Sequence, residues 1–93
     1  MEKITFSIFV PCFNEEKNIN NALNNIKDAV ENVSYEILVV DDGSKDRSVA
    51  MIEKFKNENL NLNIKIFRNQ KNKGLGFNYY ATAYKASGKY YML

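Results

Sequence analysis

Residues 35–40 (YEILVV) constrain the fold more than any other part of this 93-residue chain. The run is nearly continuous in apolar and β-branched residues, which is typical of a central parallel strand covered on both faces. Two adjacent carboxylates, Asp41 and Asp42, follow it, and Gly43 and Ser44 form a turn. Such residues pack poorly in a core, but ligands of open α/β sheets bind outside the carboxyl ends of the strands. The sequence therefore predicts a buried strand with a binding crevice at its end.

Strand and helix patterns alternate along the rest of the chain. Pro11 is predicted to end the first strand, and Asn14 is predicted to be the N-cap of the first helix. Strands are predicted at residues 4–10, 35–40, 64–68 and 90–93, with helices from Asn14 to about 30, over 46–57 and over 74–86. The order βαβαβαβ predicts one α/β domain over residues 1–93, with three layers and a mainly parallel, Rossmann-like sheet.

A second polar cluster, residues 11–16 (PCFNEE), follows the first predicted strand. Carboxyl ends of parallel strands meet at one edge of the sheet, so the two clusters predict a single shared crevice. Asn14 and Glu15 are candidates for contacts to a ribose or a base, although both also suit an ordinary helix N-terminus. The carboxylate of Asp42 suits a ring N–H of uracil or guanine, whereas adenine and cytosine present an acceptor there. The alternative is that Asp41 and Asp42 only cap the next helix.

Composition excludes several classes of function. The formal net charge is only +2 and basic residues are scattered among acidic ones, so nucleic acid is not a predicted partner. The chain has no histidine, and Cys12 is its only cysteine, which excludes Ser-His-Asp, Cys-His and His-ligated zinc chemistry within it. No apolar run approaches the roughly 20 residues of a membrane span. These features predict a cytoplasmic location.

Other motifs favour ordinary structural roles. Gly74-Leu75-Gly76 resembles the start of a dinucleotide fingerprint, but Tyr79 replaces the third glycine and the motif follows the wrong strand. Arg68, Lys71 and Lys73 form a basic loop that is a candidate for attracting a diphosphate, but the pattern favours an ordinary solvated loop. Helix–sheet packing, and not nucleic-acid stacking, is predicted for the tyrosines at positions 79, 80, 84, 90 and 91.

Three motifs together resemble a known family. Residues 7–16 (SIFVPCFNEE) are similar to the opening motif of family 2 glycosyltransferases of the GT-A fold, and residues 36–46 (EILVVDDGSKD) to its second motif. Residues 72–76 (NKGLG), followed by 86–90 (ASGKY), resemble its third region. The resemblance covers essentially the whole chain, with the motifs in the family's order and spacing. It is nearest to dolichol-phosphate mannose synthase-like transferases.

The resemblance implies a nucleotide-diphosphate sugar donor, a UDP-sugar or a GDP-sugar, and the strand order 3-2-1-4. It implies that Asp42 contacts the base and that Val40 lies against it. The whole predicted nucleotide-binding set is Pro11, Phe13, Asn14, Glu15, Val40, Asp41, Asp42, Lys73, Gly74 and Leu75.

The family's metal-binding DxD motif follows the strand that begins at Lys89, and this sequence ends before it, at Leu93. The resemblance thus implies Mg²⁺ or Mn²⁺ in a longer parent enzyme, while this chain is expected to hold no metal tightly and to contain no catalytic residue. We expect the chain to be the nucleotide-binding half of the GT-A domain, inactive by itself, and to form a homo-oligomer through an exposed strand edge. The alternative is a noncatalytic nucleotide-binding or assembly module.

Overall fold

One four-stranded parallel sheet organises the chain in the computed structural model, which describes residues 3–93. The strands lie in the order β3-β2-β1-β4, and every neighbouring pair is parallel. The elements are β1 (Phe6–Cys12), α1 (Ile19–Ala29), β2 (Tyr35–Asp41), α2 (Ser48–Glu58), β3 (Asn63–Arg68), α3 (Leu75–Ala83) and β4 (Tyr90–Met92). The predicted βαβαβαβ order and the 3-2-1-4 arrangement are confirmed.

β2 is the central strand, paired with β1 on one side and β3 on the other. Successive side chains point to opposite faces, so Ile37 and Val39 lie on one face and Leu38 and Val40 on the other. The first face carries the main core, in which β2 packs with α1 and α2 through Leu23, Ile52 and Phe55, among others. No residue of β2 from Glu36 to Asp41 is more than 3% exposed, as expected for a strand covered on both faces.

α3 covers the opposite face of the sheet with an aromatic cluster. The Tyr79 ring lies 5.4 Å from Phe9 and 4.8 Å from Tyr91, and the Tyr91 hydroxyl donates to the Tyr79 carbonyl at 2.6 Å. The prediction that all five tyrosines pack on the sheet is wrong, because Tyr80 and Tyr84 are 72% and 93% exposed. The buried side of α3 instead carries Asn78 and Thr82 with Tyr79.

β1 continues through Pro11 to Cys12, past the predicted end at residue 10. The Cys12 carbonyl accepts from the Asp42 amide at 2.8 Å, so Cys12 directs its backbone groups toward β2. The backbone nitrogen of Pro11, which carries no hydrogen, therefore faces the β4 side of β1, where strand pairing has already ended at Ile8. The proline costs no ladder hydrogen bond at this position.

The helices begin later or end earlier than predicted. α1 starts at Ile19 and not after Asn14, whose φ of 51° is left-handed. α2 starts at Ser48, because the Asp46 carboxylate accepts both the amide and the hydroxyl of Ser48 and caps the helix there. α3 ends at Ala83, followed by tighter turns in which the amide of Ala86 reaches back only to the Ala83 carbonyl. No helix among residues 3–93 has the length and apolar character to cross a lipid bilayer.

Candidate functional site

A cleft of about 330 Å³ opens at the carboxyl ends of β1 and β2. The two polar clusters predicted to share a crevice both contribute to it, and the loop between β3 and α3 closes the third side. The cleft is lined by Pro11, Cys12, Phe13, Glu15, Val40, Asp42, Asn72, Gly74, Leu75 and Asn78. Apolar walls from Pro11 and Val40 thus surround a buried carboxylate, which is a common composition for a ligand site.

Asp42 is the buried charge of this cleft, at 6% exposure. Its Oδ1 accepts the Lys73 amide at 2.8 Å and the Asn69 Nδ2 at 3.0 Å, and its Oδ2 accepts the Gly74 amide at 2.9 Å. Burial alone would raise the pKa of Asp42, but these hydrogen bonds, with the Asn78 side chain nearby, lower it to about 2. Asp42 is therefore ionised throughout the neutral range.

Gly74 shapes the loop that supplies two of these donors. Its φ of 90° lies in the left-handed region that side chains disfavour, although a Cβ there would meet no atom within 4 Å. The glycine is thus required by the backbone turn and not by space. The turn directs the consecutive amides of Lys73 and Gly74 at Asp42, and the Gly74 carbonyl then accepts the Asn78 amide as α3 begins.

Two loops at the cleft are clamped together by side chains bonded to backbone. The Asn14 amide donates to Ser44 Oγ and the Glu15 amide to Ser48 Oγ, both at 2.8 Å. In return, Asn14 Oδ1 accepts the Lys45 amide at 2.9 Å. The β1–α1 loop is therefore held by the β2–α2 loop, which fixes the positions of Phe13 and Glu15 in the lining.

Asp41 faces away from Asp42, because adjacent strand residues point to opposite sides of the sheet. Its Oδ2 accepts the Ser44 amide at 3.1 Å, and its Oδ1 is buried without a hydrogen-bond partner among residues 3–93. Burial raises the pKa of the neighbouring Cys12 thiol, and the Asp41 charge adds to that effect. Cys12 is 1% exposed, so it is an unreactive packing residue at the edge of the cleft.

The structure brings most of the predicted nucleotide-binding residues together. Seven line the cleft: Pro11, Phe13, Glu15, Val40, Asp42, Gly74 and Leu75. Three do not, since Asn14 clamps the loops, Asp41 faces the other side, and Lys73 contributes its amide while its Nζ lies 5.2 Å from the Phe77 ring. Sequence reasoning missed Cys12, Asn72 and Asn78 as lining residues. Asn78 and Thr82 are four residues apart, and this helical spacing of polar residues could have indicated that they share one side of α3.

The residues that the structure describes do not fit a divalent metal. No group of three or more Asp, Glu or Cys side chains among residues 3–93 is arranged to hold an ion. The adjacent carboxylates Asp41 and Asp42 diverge, and the Asp42 oxygens are occupied largely by protein N–H groups. No chemical step of this chain is therefore assigned to a metal.

The fold and the cleft define a Rossmann-like α/β domain with a polar binding site at the carboxyl edge of a parallel sheet. Residues 7–93 match the family model described as glycosyl transferase family 2. The chain belongs to that family, and its fold is the GT-A fold. Both predictions from the sequence are confirmed.

Characterised relatives agree with this assignment. Poly(ribitol-phosphate) β-N-acetylglucosaminyltransferase TarS of Staphylococcus aureus is 37% identical over 70 residues, which cover 74% of this chain and 12% of TarS. A dolichol-phosphate mannosyltransferase of Pyrococcus furiosus is 36% identical over 69 residues, covering 74% of this chain and 19% of that enzyme. The 93 residues thus span a small part of these proteins.

Solved structures show the same architecture. The structure of TarS residues 1–349 in complex with UDP superimposes with a TM-score of 0.82 at 30% identity, covering 97% of this chain and 27% of that one. The mannosyltransferase PcManGT of Pyrobaculum calidifontis, in complex with GDP-Man and Mn²⁺, gives a TM-score of 0.84 at 20% identity, covering 96% and 26%. At 20% identity, the similarity to PcManGT shows a shared fold only.

Proposed function

We propose that this chain is the nucleotide-sugar-binding part of a glycosyltransferase, with the nucleoside in the cleft at the ends of β1 and β2. One observation carries the proposal: the Asp42 carboxylate is buried, ionised and still has acceptor capacity toward the cleft. A group with these properties suits a ring N–H of a base. The UDP bound to TarS, a relative with the same fold, supports the choice of ligand.

The lining suggests how the nucleoside is oriented. The base edge would meet Asp42, and the apolar side chains of Pro11 and Val40 would contact its ring. Phe13 is 47% exposed at the rim of the cleft, where an aromatic side chain can pack against a sugar or base face. Glu15, on the same rim, offers a carboxylate acceptor for ribose hydroxyls.

The whole protein would transfer the sugar of a UDP-sugar or GDP-sugar to an acceptor. Divalent Mg²⁺ or Mn²⁺ in that protein would be held by residues outside the described range, because the carboxylates among residues 3–93 do not converge. The Mn²⁺ bound with GDP-Man in PcManGT supports metal use in this fold. We therefore propose that the 93-residue chain binds donor without transferring sugar, and turnover by the purified chain would contradict this.

Calorimetric titration tests the proposal directly. The chain is titrated with UDP, GDP, ADP and CDP, each with and without Mn²⁺, beside Asp42→Asn and a matched control, Asp28→Asn, on the exposed side of α1. We expect UDP or GDP to bind without metal, with loss of binding only in the Asp42 variant. Circular dichroism establishes that both variants are folded. Equal binding of all four nucleotides, or of none, would contradict the proposal.

Self-association and a cytoplasmic location stay predictions. β4 forms one edge of the sheet, and Tyr90 and Met92 on it are about half exposed. An exposed strand edge with apolar side chains favours pairing with a second copy. Sedimentation velocity over a range of concentrations measures this, and a monomer at the highest concentration would contradict it. The alternative is a noncatalytic nucleotide-binding or assembly module. Nucleotide binding by this chain, together with an absence of transferase activity in the whole protein, would favour that alternative.

A further inference from the structure

We propose that the cleft selects a base with a single ring N–H between two carbonyl groups, uracil or thymine, over guanine. The inference rests on the proposed nucleotide-binding function and deepens it, because the sequence alone left uridine and guanosine open. It depends on how many acceptor positions of Asp42 the protein itself already occupies.

The oxygens of Asp42 are unequally used. An ionised carboxylate offers about four acceptor positions, two on each oxygen. Oδ1 accepts two hydrogen bonds, from the Lys73 amide at 2.8 Å and Asn69 Nδ2 at 3.0 Å. Oδ2 accepts one, from the Gly74 amide at 2.9 Å. Three hydrogen bonds within 3.5 Å thus reach Asp42 from residues 3–93, and one position remains on Oδ2, with the Asn78 side-chain amide beside the carboxylate.

The donors on Oδ1 are held in place independently of any ligand. Lys73 donates through its backbone, in the turn fixed by the positive φ of Gly74. Asn69 is anchored by its own amide, which donates to the Asp41 carbonyl at 2.9 Å, and its Nδ2 also donates to Asn78 Oδ1 at 2.8 Å. Freeing Oδ1 for a ligand would leave at least one buried donor unpaired.

Guanine presents two adjacent donors, N1–H and the exocyclic N2–H, and a carboxylate satisfies both only by using both oxygens. With Oδ1 occupied, the guanine amino group would enter the cleft without a carboxylate acceptor. Uracil and thymine present one donor, N3–H, which matches the single free position on Oδ2. Their carbonyl groups need donors, and Asn78, whose Oδ1 is already bonded to Asn69, has amide N–H groups beside Asp42 to supply one.

Other polar groups of the lining do not reverse this preference. The side-chain amide of Asn72 can donate or accept, so it serves either base equally. Glu15 is exposed at the rim and not at the buried base edge. The selection therefore comes from the occupied oxygen of Asp42.

The experiment compares four ligands by calorimetric titration of the whole chain: UDP, dTDP, GDP and UDP methylated at N3. We expect UDP or dTDP to bind about tenfold or more tightly than GDP, since a buried N–H without an acceptor costs at least that factor. Methylation at N3 removes the single donor without touching the protein, and we expect it to weaken UDP binding by about tenfold or more. The dTDP titration distinguishes thymine from uracil.

A variant of the protein tests the cause. Asn69→Ala frees one position on Oδ1, so we expect the preference for UDP over GDP to shrink, while Asn57→Ala, at an exposed position on α2, leaves it unchanged. GDP binding as tightly as UDP, or unchanged binding of the methylated nucleotide, would overturn the inference and leave the proposed function standing. Binding of none of the four would overturn both.

Discussion

Glu36 and Asp42 are two buried carboxylates on the same face of the sheet, and they differ in whether they line the cleft. Glu36 lies in β2 at 0% exposure, away from the cleft. Its Oε2 accepts the Ser7 hydroxyl and the Ser87 amide, both at 2.6 Å. Its Oε1 accepts no hydrogen bond among residues 3–93 and has only an ion pair, with Lys65 Nζ at 3.1 Å. Asp42, at the cleft, keeps one acceptor position open.

The difference separates a structural charge from a binding charge. Burial would raise the pKa of Glu36, but the hydrogen bonds from Ser7 and Ser87 and the charge of Lys65 lower it. Its partners come from β1, β3 and the loop before β4, so one side chain fixes three neighbours of β2. Asp42 fixes only the β3–α3 loop. A buried carboxylate away from the cleft stabilises the fold through its protein partners, whereas one that lines the cleft can also meet a ligand.

Removal of the Glu36 carboxylate is expected to have the largest effect. Glu36→Ala leaves the Ser7 hydroxyl and the Ser87 amide without their charged acceptor, so the free energy of unfolding should fall by about 3 kcal/mol or more. Urea unfolding followed by circular dichroism measures it, with Glu53→Ala on the exposed side of α2 as the control. A loss below about 1 kcal/mol in the free energy of unfolding would contradict the structural role of Glu36.

A glycine beside the Glu36 network provides the second test. A Cβ on Gly88 would lie 2.6 Å from the Ser7 amide nitrogen and 2.8 Å from the Phe6 carbonyl carbon, so Gly88→Ala must displace backbone. We expect a loss of about 2–3 kcal/mol in the free energy of unfolding. Gly76→Ala, in α3 with nothing within 4 Å, is the matched control and should be neutral or stabilising. Equal effects of the two substitutions would contradict the close packing at Gly88.

The sequence predicted the sheet well because its signals are local. The apolar run of β2 and the alternation of strands and helices are patterns within short windows, and they predict parallel pairing. The strand order 3-2-1-4 was predicted from the family resemblance. Asn14 was misassigned as a helix cap because its partners, Ser44 and Lys45, are distant along the chain. Tyr80 and Tyr84 were misassigned because the helix rotation that buries Asn78 and exposes them depends on the sheet beneath.

The candidate site was predicted in membership but not in geometry. Seven of the ten predicted residues line the cleft, since strand ends and turn glycines are visible in the sequence. Asn69 and Lys73 occupy Oδ1 of Asp42 from the β3–α3 loop and so determine that Oδ2 keeps a free position. Their approach could not be predicted from the residues around Asp42. Glu36 went unnoticed, although a lone carboxylate within an apolar strand run is itself a signal of a buried polar network.

The acid stability of the chain reports on Asp42. Its folded pKa of about 2 lies below the ordinary value of 3.8, so its contribution is complete above pH 3.8 and is lost as the pH falls toward 2. Asp42→Asn removes this contribution. Between pH 3.8 and pH 2, the free energy of unfolding of the variant should therefore fall by about 1–2 kcal/mol less than that of the unsubstituted chain. Unfolding in urea at several pH values measures the slopes. Asp28→Asn is the control, and identical slopes in all three proteins would contradict the depressed pKa of Asp42.

The smallest effect is expected at the cation that faces Glu36. Lys65 Nζ lies 3.1 Å from Glu36 Oε1, but the lysine side chain is 43% exposed, so water and salt screen the pair. Lys65→Met keeps the aliphatic stem and should cost less than about 1 kcal/mol in unfolding free energy, with the difference shrinking as salt is added. A loss as large as that of Glu36→Ala would mean that charge pairing, and not the hydrogen bonds from Ser7 and Ser87, holds Glu36. Asp42 has no such cation among residues 3–93, so the two carboxylates would then differ in their means of stabilisation as well as in their distance from the cleft.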